Sequence, residues 1–319
     1  LHITPNTFRH SSRILKECSA AFELDSSVPI TVVALWEPGV ESEEVTDSGA
    51  AVWRVQLKTR TWPKNLLVQA IKYLEWLFRI VRRFRREDVS LVHVHNVAAL
   101  PVGVILKWLT RAPLVYDAHE LESERNGISR LRNWLSGVTE RISIRAADAT
   151  ITVSDGIADW YQKAYRIDRP VVVRNIPTRP GALEPKSGIL REIHGIADDD
   201  VLFIYQGALS AGRGIEQLVE IFSDPGVRHH LVVMGYGALE PMVREAANRC
   251  PTIHFQPAVA PHEVLRYTSS ADIGLCLIEN TCLSYYYSLP NKLFEYLLCG
   301  IPAIVNDLPE PVSYTHLTL

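Results

Sequence analysis

Apolar residues along this chain gather in short β-branched runs separated by longer amphipathic stretches, and the two alternate almost from end to end. In the first half, 30–35, 52–57, 91–95, 114–117, 149–153 and 171–174 have the length and Val/Ile content of strands. Between them, 11–22, 65–86, 98–109, 128–147 and 156–165 space their apolar residues at helical intervals. Residues 37–50 are polar and irregular, and the opening His-Ile-Thr-Pro reads as the tail of a strand. The second half repeats the alternation, with strands at 201–205, 230–234, 253–255, 273–277 and 301–305 and helices at 215–222, 240–250 and 262–268. A further helix is opened by Pro290-Asn291-Lys292 and ended by Gly300 and Pro302. The apolar run at 301–305 after it is expected to be a strand covered on both faces.

Strands alternating with helices predict parallel α/β sheets. A proline-rich break at 176–186 divides the pattern into two domains, 1–175 and 187–311, and a chain of 319 residues suits two cores of roughly 150 residues each. The last stretch, 312–319, continues neither pattern; it reads as a foreign tail on a C-terminally truncated fragment. A net charge of −3 points to no nucleic-acid partner. Five scattered cysteines without a C-x-x-C pair or zinc spacing read as reduced thiols of a cytoplasmic protein. No apolar stretch is long enough to span a bilayer.

One helix complicates that picture. Residues 65–86 carry an apolar stripe of Leu66, Leu67, Ile71, Leu74, Leu77, Phe78 and Val81, flanked by Trp62 and Trp76 and closed by Arg79, Arg82, Arg83, Arg85 and Arg86. Such a helix either lies on an anionic membrane or packs on a core with its cations at the negative end of its dipole.

Candidate chemistry clusters after the strands. Asn291 and Lys292 sit where free N–H groups and the helix dipole favour an anion, and Glu295 follows close enough to bond a sugar hydroxyl. Gln206-Gly-Ala-Leu-Ser-Ala-Gly-Arg-Gly214 is a glycine-rich turn between strand and helix, in which Gly207 lets backbone approach a phosphate and Arg213 can bind two of its oxygens. Gly235 and Gly237 form a similar turn that fails as a dinucleotide fingerprint, because Glu240 holds the third glycine position. In the first half, Asp117, His119, Glu120 and Glu122 crowd one strand end. His93 and His95 share the preceding strand and are read as pointing to opposite faces, with His95 and Asn96 nearer its rim. Asp198-Asp-Asp200 reads as a solvated turn rather than a metal motif.

Pro-Asn-Lys-Leu-Phe-Glu-Tyr followed by Cys-Gly-Ile-Pro-Ala-Ile resembles the donor-site signature of family 4 glycosyltransferases. The resemblance implies a GT-B fold, two Rossmann-like doubly wound parallel-sheet domains facing across a cleft. It implies a retaining transferase that moves a sugar from a nucleotide diphosphate sugar to a sugar or lipid-linked hydroxyl acceptor, with no metal and no cofactor, in polysaccharide or glycolipid assembly. By the same resemblance Glu295 holds the donor ribose, Leu293 belongs to the donor-binding turn, and 254–257, including Pro257, lies by the base. Arg213 and Lys292 steady the leaving diphosphate, and His119 stands near the transferred sugar as the catalytic-site histidine. His95, Asn96, Asp117, Glu120, Ser154 and Asn175 fall around the acceptor. The chain departs from the family pattern twice: the first glutamate of its Glu-x7-Glu motif is Tyr287, and an arginine of its glycine-rich turn is Ala208. A cytoplasmic enzyme touching the inner face of the cell membrane through 65–86 would suit a lipid-linked acceptor. Two alternatives stand: a non-hydrolysing sugar-nucleotide 2-epimerase on the same fold, and a degenerate glycosyltransferase acting as a scaffold.

Overall fold

Short buried strands paired in parallel, each returned by a helix, organise the chain into two units. The computed structural model describes all 319 residues other than 10, 64, 125, 126, 128, 178–184 and 316–319, with backbone alone at 313–315. One unit comprises Leu1–Ser123 with Ile128–Val173, the other Glu124–Gly127 with Arg174–Leu319. Of the expected linker, 178–184 lies outside the described residues, as does 316–319 of the expected tail.

The first unit runs β1 (His2–Ile3), α1 (Ser12–Leu24), β2 (Thr31–Leu35), β3 (Glu43–Val45), β4 (Ala51–Val55), α2 (Leu66–Phe84), β5 (Val92–His95), α3 (Leu100–Thr110), β6 (Leu114–Asp117), α4 (Arg130–Ser143), β7 (Ala149–Thr152), α5 (Asp155–Tyr165) and β8 (Val171–Val172). Its sheet order is β3-β4-β2-β1-β5-β6-β7-β8, parallel except for β3. The polar stretch 37–50 hides that antiparallel strand, since Glu43, Glu44 and Val45 are all exposed at the sheet edge and show no apolar alternation. His93 and His95 share a face, contrary to the sequence reading, because alternate residues of a strand point the same way; their rings lie 4.4 Å apart.

The second unit runs α6 (Ile189–His194), β9 (Leu202–Ala208), α7 (Ile215–Phe222), β10 (His230–Tyr236), α8 (Glu240–Arg249), β11 (Ile253–Pro257), α9 (Val264–Thr268), β12 (Ile273–Cys276), α10 (Leu283–Tyr286), α11 (Asn291–Leu298), β13 (Ala303–Val305) and α12 (Pro309–Thr315). Its parallel sheet has the order β11-β10-β9-β12-β13. Leu202, Ile204, Val232 and Met234 pack into one core, while Tyr205, Leu231 and Val233 pack into another on the opposite face. Successive strand residues thus feed opposite layers, as a doubly wound sheet requires. β13 departs from expectation: it is the edge strand, and Ile304 is 48% exposed, so its apolar run is not covered on both faces. The short helices α6 and α10 were not read from the sequence; six and four residues are too few to show a helical period.

A buried carboxylate anchors α4 to the first sheet. Glu140 is fully buried and accepts hydrogen bonds from three tyrosine hydroxyls, Tyr116, Tyr161 (2.5 Å) and Tyr165 (2.8 Å). Burial raises its pKa, against the pull of those three hydroxyls. Truncation would leave three phenols without their acceptor, at about 1–3 kcal/mol for each group that finds no substitute. Glu140→Ala is therefore expected to lower unfolding free energy by about 3 kcal/mol or more in urea titrations; a loss under about 1 kcal/mol would mean that the tyrosines re-pair.

Candidate functional site

In the second unit, parallel register aligns three sequence-predicted positions. Gly207, Gly235 and Pro257 are direct partners on neighbouring strands β9, β10 and β11, at the strands' C-terminal ends. Glycine is required at two of them. Gly207 has φ +119°, and a Cβ on Gly235 would lie 1.9 Å from the Gly207 carbonyl oxygen. Backbone here is bare and closely packed, which is what a ligand approaching main chain needs. Gly237, in the turn that follows β10, is exposed.

Lys292 reaches this rung from the first turn of α11. Its Nζ is 3.8 Å from where a Gly207 Cβ would stand and 3.5 Å from the centre of the Tyr205 ring. The side chain is only 6% exposed, yet Nζ has no hydrogen-bond partner among the described residues. Burial lowers its pKa to about 8; Arg213 adds to that, while Cys276 and Glu295 act the other way. An ammonium without an anion in a desolvated place is an anion site in waiting. Arg213, half-buried, lies over the Tyr285 ring at 5.5 Å and donates to Ser210 Oγ at 3.2 Å.

Glu295, one turn along α11, accepts from Gln206 Nε2, and Gln206 Oε1 accepts in turn from Thr268 Oγ1 at 2.6 Å. Gln206 and Tyr205 were not singled out from the sequence. They lie just before the glycine turn, and alternation along β9 puts them on opposite faces, one toward Glu295 and the other under Lys292. Leu293 is buried in its side chain and its N–H donates to the Pro290 carbonyl at 3.1 Å, so it secures the turn rather than offering a free donor. Asn291 is half-buried at the helix start. Tyr287 follows α10 with its ring edge-on to Tyr286, and Ala208 is exposed at the end of β9. The Asp198–Asp200 turn is largely exposed, as expected.

In the first unit, the structure brings together more of the expected residues than the sequence placed. Asp117 takes two bonds from Arg13 (2.6 and 3.0 Å) and lies 3.1 Å from His95 Nδ1. Burial alone would raise its pKa, but His95 and Arg13 hold it below the ordinary carboxylate range. His95 is 2% exposed, so it belongs to this internal network and not to an open rim that touches acceptor. Asn96 adopts φ +84°, its Oδ1 accepting from the Ala98 N–H at 2.9 Å and its Nδ2 donating to buried Glu122. Ser154 is the buried N-cap of α5, accepting from the Ile157 N–H at 3.4 Å. His119 is half-buried, two residues past β6, and its Nδ1 is buried without a hydrogen-bond partner among the described residues. Glu120 is half-buried, as is Asn175 of the second unit.

With this geometry in view, the comparisons with known proteins are specific. Residues 20–176 match the glycosyl transferase 4-like domain. That stretch, just under half of the chain, is a glycosyl transferase 4-like domain. The chain is 25% identical over 256 residues to alpha-maltose-1-phosphate synthase of Mycolicibacterium smegmatis, a match covering 71% of this chain and 62% of that protein. The chain thus spans less than two thirds of that relative. Two solved structures share the fold across both units. Sucrose-phosphate synthase from Thermosynechococcus elongatus superposes with a TM-score of 0.73 at 17% identity, covering 96% of this chain and 80% of the other. Anabaena HepE in complex with UDP-glucose gives 0.71 at 16% identity, covering 98% and 81%. These likenesses give the chain its GT-B fold.

The lysine carries a pH signature. Its folded pKa of about 8 lies below the 10.5 of an ordinary lysine, so between these values the unfolded chain holds a proton that the folded one lacks. Stability conferred by this group therefore rises with pH across that window and is lowest below about pH 8. The shift corresponds to a burial cost on the order of 3 kcal/mol at ~1.4 kcal/mol per unit, offset by about 1–2 kcal/mol from the tyrosine face. Lys292→Met should accordingly match or exceed the parent by about 1–2 kcal/mol at pH 7 without ligand, and the parent should gain on it between pH 8 and 10. Parallel stability curves for the two proteins would show that Lys292 is not charged and desolvated.

Proposed function

We propose that the chain is a retaining glycosyltransferase whose second unit binds a nucleotide diphosphate sugar and whose first unit receives a hydroxyl acceptor. The buried, unpartnered Lys292 ammonium beside the bare Gly207–Gly235–Pro257 rung is the observation that carries this reading. The glycosyl transferase 4-like domain at 20–176 and the likeness to HepE, solved in complex with UDP-glucose, stand behind it. In the proposed step the bond from the anomeric carbon to the diphosphate oxygen breaks, and the acceptor oxygen bonds to that carbon on the same face. The acceptor's proton passes to the departing diphosphate, so no separate general base is needed. Lys292 and Arg213 hold the charge that develops on the leaving oxygens, Glu295 holds the ribose, and His119 flanks the transferred sugar. On this reading neither metal nor cofactor takes part.

Melting curves with UDP, GDP, ADP and CMP test the donor site. A ligand at 100 times its Kd adds about 2.7 kcal/mol, so one nucleoside diphosphate should raise the parent Tm clearly and leave Lys292→Ala and Glu295→Ala unmoved. A cooperative melt indifferent to all four would favour the degenerate scaffold, to which Tyr287 and Ala208 point.

A membrane surface is the proposed setting, because α2 turns its apolar stripe outward. Leu67 is 73% and Phe78 61% exposed, with Leu66, Ile71 and Leu74 beside them, while Trp76, expected to flank the stripe, is buried with Ile80 and Phe84. Arg82, Arg85 and Arg86 are exposed at the same helix's end. No helix among the described residues is long and apolar enough to cross a membrane, so contact would be peripheral. The expected location is the cytoplasmic face of the cell membrane, within reach of a lipid-linked acceptor for polysaccharide or glycolipid assembly. Co-sedimentation should show binding to phosphatidylglycerol vesicles that weakens with salt and drops by roughly 10-fold or more in Leu67→Ser/Leu74→Ser/Phe78→Ser. Equal binding of both proteins would assign the stripe elsewhere.

A further inference from the structure

Four side chains from three elements meet inside the first unit. His2 of β1, Glu17 of α1, and His93 and His95 of β5 each bring a ligand-type atom within 4.8 Å of all the others. The cause is topological: β1 pairs with β5 in a register that sets His2 beside His93, and His95 follows on the same face. Glu17 Oε2 stands 3.9 Å from His2 Nδ1, 3.8 Å from His93 Nδ1 and 3.7 Å from His95 Nε2. His2 Nδ1 and His95 Nε2 are 3.0 Å apart.

We propose that His2, Glu17, His93 and His95 form a binding site for one divalent transition-metal ion, Zn²⁺ in the first instance. Donors about 2.0–2.1 Å from a tetrahedral ion lie ~3.3 Å from one another; His2–His95 and the three Glu17 separations, 3.0 to 3.9 Å, bracket that value, and all four atoms lie within 4.8 Å. Three imidazoles and one carboxylate suit zinc and its neighbours, not magnesium or calcium. The surroundings are those of a metal site. His95 Nδ1 is held by Asp117 at 3.1 Å, which keeps Nε2 as the atom turned inward. Arg13 lies 3.3 Å from the other oxygen of Glu17, Oε1, on the far side of the carboxylate. Glu17 Oε2, the oxygen turned toward the three imidazoles, is buried without a hydrogen-bond partner among the described residues. Four protein ligands would close the ion's shell, so its work would be structural: it would clamp β1, α1 and β5 together. This goes beyond the proposed transfer reaction and does not depend on it.

The test uses the whole chain, freed of any histidine tag, stripped with chelator and titrated with Zn²⁺ and Co²⁺. The expected result is about one equivalent bound, a higher Tm with Zn²⁺ that chelator reverses, and with Co²⁺ the intense visible band of a tetrahedral site. Glu17→Gln and His93→Asn should each lose the band. A folded parent chain that takes up neither ion overturns the proposal without recourse to any variant. So does a band that survives in Glu17→Gln/His93→Asn and vanishes in His230→Gln, which would place the ion at the separate cluster where His230 Nδ1 lies 2.9 Å from His254 Nε2.

Discussion

The placement of Lys292 and Glu295 depends on how one tyrosine seats a helix on a sheet. Tyr296 of α11 lays its ring over Gly274 of β12, where any Cβ would come within 2.4 Å of it. Its hydroxyl donates to the Leu275 carbonyl at 3.0 Å and reaches that of Ile204 at 3.3 Å. An aromatic ring in full contact and a buried hydroxyl with strand acceptors fix both the depth and the rotation of the helix. Four residues earlier, Lys292 is thereby brought over Tyr205, and one residue earlier Glu295 is brought to Gln206. Neither polar contact would hold α11 in place alone. Burying the ammonium is unfavourable, and the packing of Tyr296 is what makes the fold tolerate it.

The first unit solves a similar problem with charge. Arg13 and Asp117 are both buried, and removing two such ions from water costs several kcal/mol apiece before their attraction is counted. The geometry offsets this: two bonds to one carboxylate, a third from Arg13 to the Val173 carbonyl at 2.8 Å, and His95 on the remaining side. The pair joins α1 to the end of β6 and to the chain leaving β8. Apolar residues there would pack as well, but they would not specify which carbonyl and which histidine meet.

Much of this was legible because helices and buried strands write their periods into sequence. The α11 segment is the clearest case, with a proline entry, a lysine in the first turn, an apolar face and a glycine exit. What escaped has physical reasons. The antiparallel β3 is exposed on every residue, so no alternation marks it. The run at 301–305 is apolar but ends at a sheet edge, where a strand's burial depends on what lies beside it and not on its own composition. The stripe of α2 is identical in sequence whether it faces a core or solvent; only the burial of Trp76, Ile80 and Phe84 tells which side is in. The meeting of His2 and Glu17 with His93 and His95 spans distant parts of the chain and follows from strand order, which no local pattern contains.

The two departures from the family pattern are better weighed together than singly. Relative to the motif that the chain resembles, Ala208 removes one positive charge and Tyr287 removes one negative charge. At the proposed donor site the two changes cancel in formal charge, so the long-range attraction that a diphosphate would feel, which depends on net charge more than on placement, would be kept. What is lost is directional: a carboxylate that would hold sugar hydroxyls and a guanidinium that would bind phosphate oxygens in pairs. Such a site would keep its hold on the nucleotide and relax its hold on the sugar. Selectivity among donor sugars would then have to come from shape and from the aromatic run Tyr285–Tyr286–Tyr287 rather than from charge.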